Sequence, residues 1–281
     1  MIISATKKDK TPAAISIIRD IAGNLKLISE LSKNDLKKRF ADSYFGILWA
    51  FVSPIVTICV YWFVFTVGMR GAAQDVNGYP YVLWLISGLI PWFLFSEIIN
   101  SGTSVLLEYG YLVKKIVFNV SILPVVKLVT ATFVHLSLLL FTLIIFAGTG
   151  HFPDIYMLQI PYYIFALWVF SVACVFATSA VVLFFRDLGQ LVNIFMQVFI
   201  WITPIMWQDE AVAVNHPVLI SIIRLNPMCY IVKGYRDALI NHVWIWDNMG
   251  MTIYFWVVTI LLFIIGSSIF VRLKPHFSDV I

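Results

Sequence analysis

Six stretches of this chain run for more than twenty residues without an Asp, Glu, Lys or Arg: Ser43–Met69, Val76–Ser96, Leu128–Pro153, Ile155–Phe185, Leu188–Gln208 and Asn248–Val271. Crossing roughly 30 Å of hydrocarbon takes about 20 apolar residues in a helix. Only helices and closed barrels satisfy their backbone polar groups in lipid. Unbroken apolar runs lack the alternation of barrel strands. The expected fold is therefore all-α, a polytopic membrane protein with six transmembrane helices. Its function is confined to moving, anchoring or modifying something at a bilayer.

Charged residues make up 12% of the chain, against about 25% in typical soluble domains. The expected division is a cytoplasmic arm (1–43), a six-span membrane domain (44–271) and a short cytoplasmic tail (272–281), with no soluble catalytic domain left over. Met1–Pro12 is polar and lysine-bearing without an apolar centre, so it does not read as a cleavable signal peptide. An even number of spans puts both termini on one side. Fifteen of the nineteen Lys and Arg fall on that side: nine in the arm, together with Lys114, Lys115, Lys127, Arg186, Arg272 and Lys274. The other side holds Arg70, Arg224, Lys233 and Arg236. Basic flanks stay inside, which predicts cytoplasmic termini. The net charge of +4 sits beside the membrane, where anionic headgroups or an acidic partner are better counter-charges than nucleic acid. Cys59, Cys174 and Cys229 show no disulfide or metal spacing and read as apolar filler.

Ile15–Leu31 has the period of an amphipathic helix, with Ile18, Ile21, Leu25 and Ile28 on one stripe. A second short helix is expected to follow, with Ser32 and Asp35 spaced as a capping box. Leu36, Phe40 and Tyr44 then recur at intervals of four beside Lys37, Lys38 and Arg39. Such an arm can be an interfacial anchor or a docking and gating element; the two are compatible. Within Glu97–Pro124, the run Leu106–Lys115 is too apolar for an idle loop and too short to span. It is expected to pack against its own bundle or another subunit. In the outer segment Trp207–Asp247, Asn226-Pro227 is a helix start. Met228, Ile231, Val232, Tyr235 and Leu239 line one face opposite Lys233, Arg236 and Asp237. This is either a surface helix or a short re-entrant helix framing an exit. Trp49, Trp62, Trp84, Trp92 and Trp201 are candidates for flat walls along which a sugar chain slides, with ordinary packing as the alternative.

No Gly-x-x-x-x-Gly-Lys-[Ser/Thr] phosphate loop occurs, so ATP hydrolysis would fall to a separate polypeptide. The five histidines are scattered, no His/Glu metal cluster is visible, and no Asp or Glu lies in a span core. The acidic relays of ion-coupled transporters are missing. His135, near the middle of the third span, reads as a neutral histidine bonded to a neighbouring helix rather than a proton relay. No catalytic residue is expected.

Several segments together resemble the permease subunits of ABC-2 type exporters of lipid-linked surface polymers (O-antigen, capsule and wall teichoic acid). They are Leu36-Lys37-Lys38-Arg39-Phe40 with Tyr44–Ala50 and Pro54; Ser87–Phe93; Val113-Lys114-Lys115 to Leu123-Pro124; Phe185-Arg186-Asp187-Leu188 leading to Gln197 and Thr203-Pro204-Ile205; and Leu225–Met228 leading to Gly234–Ala238. Gly68-Met69-Arg70-Gly71 and the ending Pro275–Asp279 look most like the teichoic-acid branch. The resemblance implies a homodimer bound to two copies of an ABC ATPase, which holds the ATP and Mg. It implies a polymer on undecaprenyl diphosphate as substrate. Carried over by position, Lys37, Lys38, Arg39, Phe40 and Tyr44 belong to a gate helix that meets the substrate headgroup. Glu108, Tyr109, Lys114 and Lys115 belong to the ATPase-coupling loop, and Arg224, Tyr235 and Arg236 to an outer gate.

Two rival readings stay open on sequence. One is an ABC-2 exporter of small hydrophobic compounds, which often carries a fused ATPase or a large outer domain. The other is an integral membrane glycosyl- or acyltransferase, for which Asp154, Asp209, Glu210 and His216 form no recognisable catalytic set.

Overall fold

A computed structural model describes residues 12–41, 44, 46–68, 75–115, 118–152 and 154–280. The expectations placed on Lys7, Lys8, Lys10 and Met69–Gly71 lie outside the described residues, as does the side chain of Phe40. The described chain is helical, with one isolated bridge between Val76 and Tyr79. Its helices are α1 (Ala13–Gly23), α2 (Leu25–Ala41), α3 (Trp49–Phe63), α4 (Tyr81–Thr103), α5 (Val105–Glu108), α6 (Gly110–Val113), α7 (Leu123–Gly148), α8 (Ile160–Val182), α9 (Asp187–Ile202), α10 (Asp209–Ala213), α11 (Pro217–Ile223), α12 (Pro227–Arg236), α13 (Met249–Leu273) and α14 (Phe277–Val280).

Among the described residues, five helical segments are long and apolar enough to cross a membrane: Trp49–Gly68, Tyr81–Thr103, Val120–Gly148, Ile155–Val182 and Ile245–Val280. The sixth apolar helix, α9, has 16 residues and so is about 24 Å long. The sequence reading carries this span to Gln208, but α9 stops at Ile202. Thr203 precedes Pro204, which disfavours helical backbone in the residue before it, and Thr203 is accordingly extended.

Helix α4 is the hub, buried along most of its length among α7, α8, α9 and α12. Small residues allow the close approaches that membrane helices use. A Cβ on Gly102 of α4 would lie 2.7 Å from Val175 of α8, and one on Gly266 of α13 would strike the backbone carbonyl of Ala173 in α8. By contrast α3 lies at the periphery, with Trp49, Val52, Val56, Val60 and Phe63 all exposed.

The arm docks on the bundle, but not by the stripe read from sequence. Gly23 ends α1, and the Asn24 side chain caps the break by donating to the Asp20 carbonyl at 2.7 Å. That break shifts the register. Ile17 is buried in α1 and Ile28 in α2, while Ile18 and Leu25 face outward. Nor do Ser32 and Asp35 form a capping box, because α2 begins at Leu25. Ser32 Oγ donates to the carbonyls of Ile28 (2.7 Å) and of Val126 on α7 (3.2 Å). The Asp35 carboxylate is engaged elsewhere. Helix α12 starts as read: Pro227 is its first residue and Asn226 Oδ1 accepts from the Met228 N–H at 2.9 Å.

Candidate functional site

Asp35, read as a cap, is instead the centre of a buried ion cluster. It is 5% exposed, accepts from Lys127 Nζ at 2.7 Å and from the Tyr109 hydroxyl at 2.7 Å. Lys127, itself 7% exposed, also pairs with Glu108 at 2.8 Å and lies 5.5 Å from the Tyr109 ring centre. Burial first, and then the hydrogen bond to Asp35, push the Tyr109 phenol well above its ordinary range, so it stays a donor. The cluster joins α2, the loop bearing α5 and α6, and the start of α7. Sequence reasoning placed Glu108 and Tyr109 on the coupling loop but missed Asp35 and Lys127. The available signal was the helical spacing Ile28–Ser32–Asp35, which puts the carboxylate on the buried face of α2.

One turn further along α2, Arg39 meets Glu97 of α4 through two hydrogen bonds, at 2.5 and 3.1 Å. This pair is about a third exposed. It borders two cavities. One, of about 320 Å³, is lined by Asp35, Lys38, Glu108 and Lys127. The other, of about 210 Å³, runs between α3, α4 and α7 past Trp49 and Asn100 to His135. Lys37, Lys38 and Tyr44 are exposed, with Lys38 Nζ 6.0 Å from the Tyr111 ring centre. On the loop bearing α5 and α6, Leu107, Tyr111, Lys114 and Lys115 face outward, whereas Tyr109 is buried toward α2.

On the opposite end, the sequence pattern set Arg236 and Asp237 on a polar face, but both are buried. The Arg236 guanidinium lies 3.4 Å from the Trp84 ring centre. It donates to the Pro204 carbonyl at 2.7 Å and the Ile205 carbonyl at 2.6 Å, serving the backbone left open where α9 ends. The chain widens into a π turn over Asp237–Asn241, so the helical period of α12 no longer applies there. Tyr235 is fully buried, and its hydroxyl meets His135 Nε2 at 2.9 Å. Arg224 is half exposed and pairs with Asp209 at 2.7 Å. The five candidate tryptophans fall into two groups. Trp49, Trp62 and Trp201 are exposed on the bundle surface. Trp84 is buried beneath Arg236 and Trp92 against Phe95 and Phe199, so neither presents an open ring face within one chain.

Residues 26–240 match the ABC-2 type transporter family. The chain belongs to that family. Curated relatives agree: an O-antigen export system permease protein RfbA of Myxococcus xanthus is 26% identical over 81% of this chain and 85% of its own length. Two proteins of the same description from Klebsiella pneumoniae are 26% and 27% identical, each over 91% of this chain and 95% of their own length. As an ABC-2 member the chain is a multi-pass transmembrane subunit without catalysis of its own, working with an ATPase partner. The ion cluster, the Arg39–Glu97 pair and the Arg236 anchor of this ABC-2 subunit all fall inside the matched segment.

Proposed function

We propose that this chain is the permease of an ATP-driven exporter that moves a polymer linked to undecaprenyl diphosphate across a bacterial plasma membrane, from its inner to its outer face. The reading includes a homodimer bound to two ATPase subunits and termini in the cytoplasm. The observation that carries it is the match to O-antigen export permeases over 91% of the chain. Those relatives favour a lipid-linked polysaccharide of the O-antigen kind over teichoic acid.

The physical problem such a protein solves is the diphosphate, because an isolated charge in hydrocarbon is very costly. In this reading Lys37 and Lys38, exposed on α2, draw the diphosphate to the inner leaflet. Its oxygens then compete with Glu97 for the Arg39 guanidinium, which suits phosphate as well as carboxylate. The partly exposed Arg39–Glu97 pair is a weak fastening, worth about 0–1 kcal/mol, so it can open. The buried Asp35–Lys127 pair is not of that kind and keeps α2 attached to α7. Movement of the coupling loop would reach α2 through Tyr109 and Glu108, and α2 leads into the exposed helix α3, where a second copy would sit. The polymer would leave past α10–α12.

The test is ATPase activity of the reconstituted permease–ATPase complex titrated with lipid-linked glycan. Stimulation of the intact complex supports the reading. Arg39→Ala should lose that stimulation while the complex elutes unchanged in size-exclusion chromatography. A complex indifferent to the glycolipid counts against the proposal.

A further inference from the structure

The outer end holds a cavity of about 330 Å³ whose lining includes Arg224 and Arg236 of the expected outer gate, at the lower end of the roughly 300–1,000 Å³ typical of ligand sites. Its lining is chemically uneven. Arg224, Lys233 and Arg236 contribute three cations, and Asp209 the one carboxylate among the described lining residues. Arg236 is fixed in place by Trp84 and two backbone carbonyls, so its charge is a permanent part of the wall. Arg224 is tied to Asp209 at 2.7 Å. Lys233 makes no ion pair among the described residues. The field of Asp237 reaches it, but that carboxylate lies behind the lining and accepts from the Asn241 amide at 2.8 Å. Three amides, Asn77, Gln208 and Asn241, complete the polar lining, and Asn77 donates to Asn241 at 2.9 Å across the rim.

We infer that this cavity is an outer-face binding site for a phosphate or diphosphate group carried next to a sugar. The inference rests on the exporter reading for which face is outer and for the source of the ligand. Lysine and guanidinium groups are the side chains that hold phosphate oxygens. Amides, which both donate and accept, suit neighbouring sugar hydroxyls. Pairing of Arg224 with Asp209 gives the site an internal competitor. An incoming phosphate takes Arg224 from Asp209, and the pair closes again when the ligand leaves. A headgroup that has crossed is thereby met by positive charge at the outer leaflet, which opposes its return.

The experiment uses the purified full-length complex in nanodiscs, with Lys37→Gln and Lys38→Gln present to silence the cytoplasmic pair. Binding of radiolabelled inorganic diphosphate and of undecaprenyl diphosphate is measured at equilibrium. Lys233→Gln removes one charge-assisted contact and should weaken diphosphate binding about tenfold. Asp209→Asn removes the competitor and should tighten it. A purely structural role would not move the two variants in opposite directions. Effects confined to undecaprenyl diphosphate assign the site to the lipid headgroup, and equal effects on both probes assign it to phosphate groups in general. Unchanged binding in both correctly assembled variants overturns the site. Opposite shifts, together with no glycolipid export by the complex that keeps its native Lys37 and Lys38, would support the site while sinking the exporter reading.

Discussion

Lys127→Met isolates the buried joint of the molecule. The substitution keeps the length and apolar stem of the side chain but removes its ammonium. Asp35, 5% exposed, then retains only the Tyr109 hydroxyl at 2.7 Å. Breaking a buried pair by removing one partner costs about 3–5 kcal/mol, because an uncompensated charge stays buried. Glu108 loses its partner too, but its side chain is half exposed, so that share is about 0–1 kcal/mol. At roughly 2–4 °C per kcal/mol for a chain of this size, the melting temperature in detergent should fall by about 10 °C. Asp35→Asn should cost less, since Lys127 keeps Glu108 within 2.8 Å. Glu108→Gln should cost least. The double variant Asp35→Asn, Lys127→Met should be clearly more stable than the sum of its parts predicts, because contacting partners couple. The assay is thermal unfolding of monodisperse protein followed by tryptophan fluorescence. A Glu108→Gln loss equal to that of Lys127→Met, or strict additivity in the double variant, would mean that the Asp35–Lys127 pair is not the joint.

Other substitutions read the remaining anchors. Tyr235→Phe strips His135 Nε2 of its 2.9 Å partner and should cost about 1–3 kcal/mol; adding His135→Phe should cost much less than the two single changes summed, measured by the same melts. Arg236→Lys cannot reproduce the planar fork that serves the Pro204 and Ile205 carbonyls while stacking on Trp84. It should lower stability by about 2 kcal/mol. Gly266→Val drives a side chain into the Ala173 carbonyl and should cut the yield of monodisperse protein severely. Gly250→Ala in the same helix, with nothing within 4 Å of the added carbon, should leave the yield unchanged.

The spans were legible because lipid enforces a simple rule, and they were misplaced where a charge escapes that rule by pairing. The charge-free run ending at Ser96 stops one residue short of Glu97, yet α4 continues to Thr103; Glu97 is tolerated because Arg39 meets it. The run beginning at Leu128 starts after Lys127, yet α7 begins at Leu123, since Asp35 neutralises that lysine from a helix 92 positions earlier in the chain. Partners that far apart leave no local signature. The same holds at the opposite end of the bundle: the sequence pattern set Met228, Ile231, Val232, Tyr235 and Leu239 on one face, and all five are buried. It could not foresee that Arg236 would turn inward, because the cause is the backbone exposed at Pro204, just past the end of α9. Among the aromatics, composition marked the tryptophans but not their surroundings, so Trp84 and Trp92 looked like Trp49 and Trp62 until packing separated them.

Energy for transport is expected to come from the ATPase partner and not from this chain. Sealed proteoliposomes holding this chain alone, or with its ATPase, would be loaded with fluorescent lipid-linked glycan and its appearance on the opposite leaflet followed by quenching. Net transport against the gradient is expected only with both subunits and ATP. Uphill movement by the isolated chain would contradict the account.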